Sequence, residues 1–294
     1  MSKSSGSHKS TDFVLSDTQW AKTKEGDLFY ARVVEVHKKY AFISSEDPVG
    51  SVNTKDVWLA TLARRHLQSQ RVERHLIAVG DRVLCKPATE DSAASVSDDL
   101  PQCTIEHRQS RQATISRVDP VAAHREHVLA VNVSQLVVVS SYLAPRMKWG
   151  LIDRYLVLAK QQNIEATIIL NKQDLLHGSK KKSFIQECNQ MEELYKSLGY
   201  RVISMQANAT QDKTQKDMLV NVFKDQISVI SGHSGVGKSS IVNLLDPEIV
   251  QDVELEEIRV KGRHTTTYAS FIKLGIGGYL IDTPGIRSFV IRKD

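Results

Sequence analysis

Gly232-His233-Ser234-Gly235-Val236-Gly237-Lys238-Ser239 is the stretch on which the reading of this chain turns. It matches G-x-x-x-x-G-K-[ST] in full, follows an apolar run (Ile227 to Ile230) with strand character, and precedes a helical pattern from Ser239 to Leu245. The chemistry accounts for the spacing. Glycines let successive backbone N–H groups turn inward around phosphate oxygens, and the start of the helix adds partial positive charge. Lys238 then reaches the β- and γ-phosphates and the Ser239 hydroxyl ligates Mg²⁺, with Ser240 in the same first turn.

Upstream stands Asn171-Lys172-Gln173-Asp174, an N-K-x-D pattern at the end of the apolar run Ala166 to Leu170. A carboxylate there accepts two hydrogen bonds from the N1–H and N2–H₂ edge of guanine. Adenine has no such donor pair, so Asp174 selects GTP over ATP. Asn171 and Lys172 are expected to tie this loop to the P-loop. Downstream, Asp282-Thr283-Pro284-Gly285 follows the run Gly278 to Ile281 as D-x-x-G. Asp282 is expected to hold Mg²⁺ through water, and the Gly285 N–H to meet the γ-phosphate. Gly262-Arg263-His264-Thr265-Thr266-Thr267 lies between, in a polar stretch suited to a switch loop. Thr266, with Thr265 next, is the candidate to complete the Mg²⁺ shell.

The order of these motifs is unusual. In ordinary GTPases the P-loop comes first and N-K-x-D late. Here N-K-x-D at 171–174 precedes the P-loop at 232–239, and D-x-x-G comes last. The same sheet can be built from a circularly permuted chain.

Around this centre, strand–helix alternation runs from Asp119-Pro120 onward. Strands are expected at 136–140, 166–170, 202–204, 227–230, 270–274 and 278–281, and helices at 153–162, 183–198, 217–224 and 239–245. That is a mostly parallel sheet with helices on both faces. Before it, short β-rich runs at 29–36, 40–44, 57–59 and 82–86 indicate an OB-type barrel. The expected division is a flexible segment (1–24), an OB domain (25–118) and a permuted GTPase domain (119–294), with Ala88 to Pro101 as a mobile loop.

The bulk numbers fit a globular chain of 294 residues with 41% hydrophobic and 25% charged residues. A formal charge of +5 is compatible with a polyanionic partner without requiring one. On the barrel, Arg64, Arg65, Arg71, Arg74 and Lys86 are candidate phosphate contacts, with Trp58 and Tyr40 as candidate stacking platforms. The three cysteines, Cys85, Cys103 and Cys188, form neither a disulfide framework nor a metal-ligand pair. No apolar run is long enough to span a bilayer and no secretion signal opens the chain, so a cytoplasmic monomer is expected.

These motifs, together with Val79-Gly80-Asp81-Arg82-Val83, Ala130-Val131-Asn132-Val133, Leu151-Ile152-Asp153-Arg154-Tyr155-Leu156 and the G-R-H-T-T-T form of 262–267, resemble the circularly permuted small-ribosomal-subunit biogenesis GTPases, the RsgA/YjeQ family. The resemblance covers about residues 27 to 294. It implies an OB domain that contacts ribosomal RNA and a GTPase that the small subunit activates late in assembly. It also implies that His264 replaces the water-orienting glutamine of other GTPases, because Ile286 stands after D-x-x-G. Family members usually continue into a helical domain holding zinc. Here the sequence ends at Asp294 without a Cys/His cluster, so zinc is not expected, and either the module is lacking or the sequence is shortened. A second functional class fits the same residues: an RNA-binding assembly module that holds GTP and hydrolyses it negligibly. A P-loop ATPase is disfavoured by Asp174. In isolation slow turnover is expected, because no arginine finger stands out.

Overall fold

The computed structural model describes residues 13–23, 27–37, 39–47, 50–63, 76–88, 100–118, 126–177, 182–207, 213–247 and 269–282. Two compact units emerge. One comprises 1–33, 38–77 and 81–110, and the other 34–37, 78–80 and 111–294.

Strands β2 (Phe29–Val36, whose last three residues fall to the second unit), β3 (Ala41–Glu46), β4 (Val52–Leu62), β5 (Arg82–Pro87) and β6 (Gln102–Gln109) follow one another in the order β6-β4-β3-β2-β5. Pairing of β5 with β6 closes them into a five-stranded barrel. β6 runs parallel to β4 and antiparallel to β5, which gives the connectivity of an OB barrel. The barrel is filled by Ala31, Val33, Ala41, Ile43, Val83, Cys85 and Ile105, each essentially unexposed.

The sequence hides β6 and most of β4. In β6, Cys103, Ile105 and His107 alternate inward as a strand requires, but buried polar residues mask the pattern. Arg108 is buried 3.7 Å from Asp81, itself unexposed, and Gln109 donates to Asp17. At the end of β3, the buried Glu46 carboxylate pairs with Arg32 of β2 at 2.9 Å and with Arg82 of β5 at 2.7 Å. Charges at such positions are retained because each has a partner.

Part of the expected flexible lead-in is ordered. Residues Val14–Leu15 form β1, which runs parallel to β6, and Asp17–Lys22 form α1. Ser16 caps that helix: its hydroxyl accepts from the Gln19 N–H, and the Gln19 side chain accepts from the Ser16 N–H. This S-x-x-Q capping box is legible in sequence. Leu15 and Trp20 are buried against Leu84 and Tyr30, so burial of a short apolar pair fixes a segment whose composition reads as mobile. The expected mobile loop falls almost wholly outside the described residues.

In the second unit, the hairpin β7 (Thr114–Val118) and β8 (Glu126–Val131) precedes a six-stranded sheet. Its strands are β9 (Gln135–Ser141), β10 (Glu165–Asn171), β11 (Arg201–Ser204), β12 (Ile227–Ser231), β13 (Ser270–Lys273) and β14 (Tyr279–Asp282), ordered β11-β10-β9-β12-β14-β13. All neighbours are parallel except β13 with β14. Helices α2 (Trp149–Gln161), α3 (Gln173–His177), α4 (Lys182–Ser197), α5 (Lys213–Phe223) and α6 (Lys238–Leu245) connect them. Val137 and Val139 of β9 join a core with Leu219 and Phe223 of α5 and Ile241 and Leu244 of α6. Val138, on the other face, lines a cavity together with Leu151, Ile152 and Tyr155 of α2. Helices therefore cover both faces, and β9 is buried on each, as its unbroken apolar run demands. The run Lys180 to Lys182 ends at the start of α4, where Lys182 is exposed.

Two of the family-like stretches meet in this unit. Val131 N–H donates to the Val79 carbonyl at 3.0 Å, and Asn132 Nδ2 donates to the Gly80 carbonyl at 3.0 Å. Gly80 adopts φ +93°, and a Cβ there would lie 2.3 Å from the Val131 carbonyl oxygen. Only glycine fits. Gly80→Ala is expected to destabilise the chain by about 2–3 kcal/mol, read as a lowered urea midpoint.

Candidate functional site

The chain runs from β9 outward to β10 and β11, then returns across the sheet to β12. Connections leave β9 and β12 in opposite directions, so a crevice opens above their carboxyl ends, the usual ligand position in open parallel sheets. Each sequence motif for which residues are described reaches this edge: Asn171 ends β10, Ser231 ends β12 and Asp282 ends β14.

The P-loop leaves β12 at Gly232 and enters α6 at Lys238. Val236 is its anchor, buried at 2% exposure in the core beneath α6, while His233, Ser234 and Gly235 stand outward. Gly237 caps α6 in the left-handed conformation, φ +97°, and being glycine offers no side-chain cap of its own to the helix's first N–H groups. Those groups are the donors a phosphate needs. Lys238 Nζ donates to the Gly232 and His233 carbonyls at 2.9 and 3.1 Å, which folds its ammonium over the loop. Ser239 and Ser240 are exposed in the first turn of α6, and His233 Nδ1 lies 2.9 Å from the Ser234 carbonyl.

N-K-x-D is bonded directly to this loop. Asn171, 2% exposed, donates from Nδ2 to the Val236 carbonyl at 2.9 Å and accepts the Ala207 N–H on Oδ1 at 2.9 Å. Lys172, with φ +60°, donates from Nζ to the Gly235 carbonyl at 2.7 Å and to the Ala144 carbonyl. Gln173 N–H donates to the Met205 carbonyl. Asp174 is exposed in the first turn of α3, where the helix N-terminus favours an anion.

Two contributors escape the sequence reading. The turn after β9 (Tyr142 to Met147) receives Lys172, and the segment after β11 (Met205 to Ala207) receives Asn171 and Gln173. Both act mainly through backbone groups, which carry no residue signature. The one available signal is that each follows a strand flanking the N-K-x-D strand.

The backbone of Asp282 pairs with Ser270 at the end of β14. Its side chain, Gly285, and the whole 262–267 stretch with His264, Thr265 and Thr266 lie outside the described residues, as do Arg64, Arg65, Arg71 and Arg74. On the barrel, Trp58 is half-buried with its ring 4.8 Å from Phe29 and its Nε1 donating to Asp56. Tyr40 is half-buried 5.6 Å from Phe42, and Lys86 is exposed. The three cysteines are buried, and burial pushes the Cys85 and Cys188 thiols up, the latter to about 11. Those two thiols are therefore poor nucleophiles at neutral pH. Among the described residues no cluster of His, Cys, Asp and Glu forms a metal site, and no helix is long and apolar enough to cross a membrane.

The sequence profile of the family described as RsgA GTPase matches residues 108–292. The chain belongs to that family. As a member it is a GTP hydrolase with a circularly permuted G domain and an OB barrel. Among its relatives, the "Small ribosomal subunit biogenesis GTPase RsgA" of Chlorobaculum parvum is 33% identical over 226 residues, 75% of this chain and 68% of that protein. The protein of the same name from Histophilus somni is 31% identical over 275 residues, 93% of this chain and 70% of that one. Among solved structures, YjeQ from Thermotoga maritima matches with TM-score 0.62 and 25% identity, covering 90% of this chain and 77% of its own. YloQ, described as a circularly permuted GTPase, shares the fold with TM-score 0.58 and 22% identity, over 92% of this chain and 75% of its own.

The sheet explains how a family member keeps a working site in permuted order. Started at β12, the chain would run β12, β13, β14, β9, β10, β11, with P-loop, D-x-x-G and N-K-x-D in the ordinary sequence. Spatial neighbours are unchanged, because strand order depends on packing and not on where the chain is cut.

Proposed function

We propose that this RsgA-family GTPase acts in maturation of the small ribosomal subunit in the cytoplasm, binding GTP with Mg²⁺ and resting its OB barrel on ribosomal RNA. In this reading residues 25–118 form the RNA-binding domain and 119–294 the GTPase domain. The direct bonding of Asn171 and Lys172 to the P-loop carries the nucleotide half of the reading, since it joins a base-reading loop to a phosphate cradle. The names of the relatives support the ribosomal half. A basic balance and the half-buried Trp58 and Tyr40 support an RNA face.

Each residue has one task. N–H groups of Ser234 to Ser239 and the Lys238 ammonium balance triphosphate charge. Asp174 pairs with the guanine edge, and Asn171 keeps the base and phosphate halves in register. Ser239, which is exposed, Thr266 and Asp282 are the residues that would hold Mg²⁺, whose charge would draw electron density from the triphosphate oxygens. His264 accepts a hydrogen bond from the attacking water and orients it toward phosphorus.

The test is GTP and ATP hydrolysis with and without purified small subunits, in the natural chain and in His264→Ala. GTP-specific turnover is expected to rise with subunits, and His264→Ala to lower kcat by about 10²–10³-fold while GTP affinity stays within a few-fold. Binding without subunit stimulation favours an RNA-binding module that retains GTP. Equal use of ATP sinks the role of Asp174.

A further inference from the structure

Glu192, on α4, touches none of the nucleotide motifs, yet its carboxylate joins the two chain segments that grip N-K-x-D. One oxygen, Oε1, accepts from the Tyr142 hydroxyl, and the other, Oε2, accepts from Ser204 Oγ at 2.9 Å. The two hydroxyl oxygens lie 2.7 Å from each other, so the three side chains form a closed polar knot. Tyr142 is wholly unexposed, and Glu192 and Ser204 are half-buried. Burial, and then the bond to Glu192, hold the Tyr142 phenol far above its ordinary pKa, so it remains protonated and donates throughout the physiological range.

From this knot two strands of backbone lead to the same loop. Tyr142 N–H donates to the Asn171 carbonyl, and two residues on, the Ala144 carbonyl receives Lys172 Nζ. Ser204 ends β11, and the next residues bind the loop from the other side. Met205 N–H donates to Leu170, the Met205 carbonyl receives Gln173 N–H, and Ala207 N–H donates to Asn171 Oδ1. A shift of either segment therefore moves Asn171 to Gln173, and with them Asp174.

We infer that Glu192 is a positioning residue for guanine recognition, clamping the Tyr142 turn and the Ser204–Ala207 segment so that the Asn171–Asp174 loop keeps one geometry. The inference rests on the reading that this loop binds guanine. Chemistry at the γ-phosphate lies with other residues, so the effect falls on nucleotide retention rather than on turnover. A group that orients a binding residue without touching the ligand commonly controls affinity by tenfold or more (about 10–100-fold at metal sites).

The experiment uses the full chain and a fluorescent GDP analogue, with release followed by stopped flow and GTP hydrolysis measured in parallel. Glu192→Ala and Tyr142→Phe are each expected to speed GDP release and raise KM for GTP by about tenfold, with kcat at saturation within about twofold. The double variant is expected to be little worse than either single one, because both break the same knot. Glu192→Gln, which keeps one acceptor oxygen, is expected to recover part of the loss. Ser204→Ala, at a half-buried site, serves if the larger changes impair folding, and a severalfold faster release is expected from it. Release rates and KM within twofold of the natural chain in Ser204→Ala and Glu192→Ala overturn the inference, even if melting temperature falls. Asp174→Asn separates the two claims. A loss of GDP affinity of about 10²-fold or more upholds guanine reading. An unchanged affinity defeats that reading and this inference together.

Discussion

Lys238→Ala is expected to weaken GTP binding by two to three orders of magnitude while the fold survives. The ammonium sits over the P-loop, held by the Gly232 and His233 carbonyls at 2.9 and 3.1 Å, and it is the cation that the sequence motif assigns to the triphosphate. Removing one partner of a buried, hydrogen-bonded charge pair costs about 2–5 kcal/mol, or roughly 30-fold to a few thousand-fold in affinity. The residue is half-buried at the rim of α6, and the apolar anchors Val236 and Ile241 are untouched, so unfolding should shift little. Titration calorimetry with a non-hydrolysable GTP analogue reads the first quantity and urea unfolding the second. Lys238→Arg is expected to rescue poorly, because a planar guanidinium does not occupy the place of a compact ammonium. An affinity within threefold of the natural chain would falsify the assignment of Lys238 to the phosphates.

Gly237→Ala should be nearly as damaging, by a different route. A Cβ at this position would lie 2.2 Å from Asn171 Nδ2, and the backbone holds φ +97°. The methyl group must expel the Asn171 side chain, which then loses the Val236 carbonyl on one side and the Ala207 N–H on the other. Both halves of the nucleotide site are disturbed by one carbon atom. A loss of GTP affinity of about 10²-fold follows if each broken bond is worth about 1–1.5 kcal/mol. A double-mutant cycle isolates the cause. In an Asn171→Ala background the collision is gone, and adding Gly237→Ala should cost only the left-handed backbone strain, about 1–2 kcal/mol. Strict additivity of the two changes would mean that the damage does not pass through Asn171.

Much of the candidate site is legible in the sequence because the motifs proposed for it are patterns of side-chain type. Lys238, Ser239, Asn171, Lys172 and Asp174 announce themselves by type and spacing, and the apolar runs before them mark the strands that carry them. The permuted order is legible for the same reason, since motif sequence is a property of the chain itself. A β-strand buried on both faces, such as β9, is equally plain, because apolar periodicity is a local signal.

What the sequence leaves hidden is held by partners remote along the chain. Strand β6 was obscured because Arg108, His107 and Gln109 are buried polar residues, and only the neighbours that satisfy them make that burial tolerable. The ordering of Leu15 and Trp20 depends on Leu84 and Tyr30, which no local pattern could supply. The backbone carbonyls of Ala144 and Met205 enter the site through hydrogen bonds that any residue type could make. In the Glu192–Tyr142–Ser204 knot, Tyr142 comes from 50 residues before Glu192 and 62 before Ser204. The sequence by itself therefore determined the chemistry, the order of its motifs and the strands beneath them, because these depend on side-chain identity and local period. Tertiary structure alone decided the barrel's closing strand and the bracing of the Asn171–Asp174 loop. Both rest on long-range pairing of buried and half-buried polar groups, and the favourable energy of such a pair exists only once both partners have been brought together.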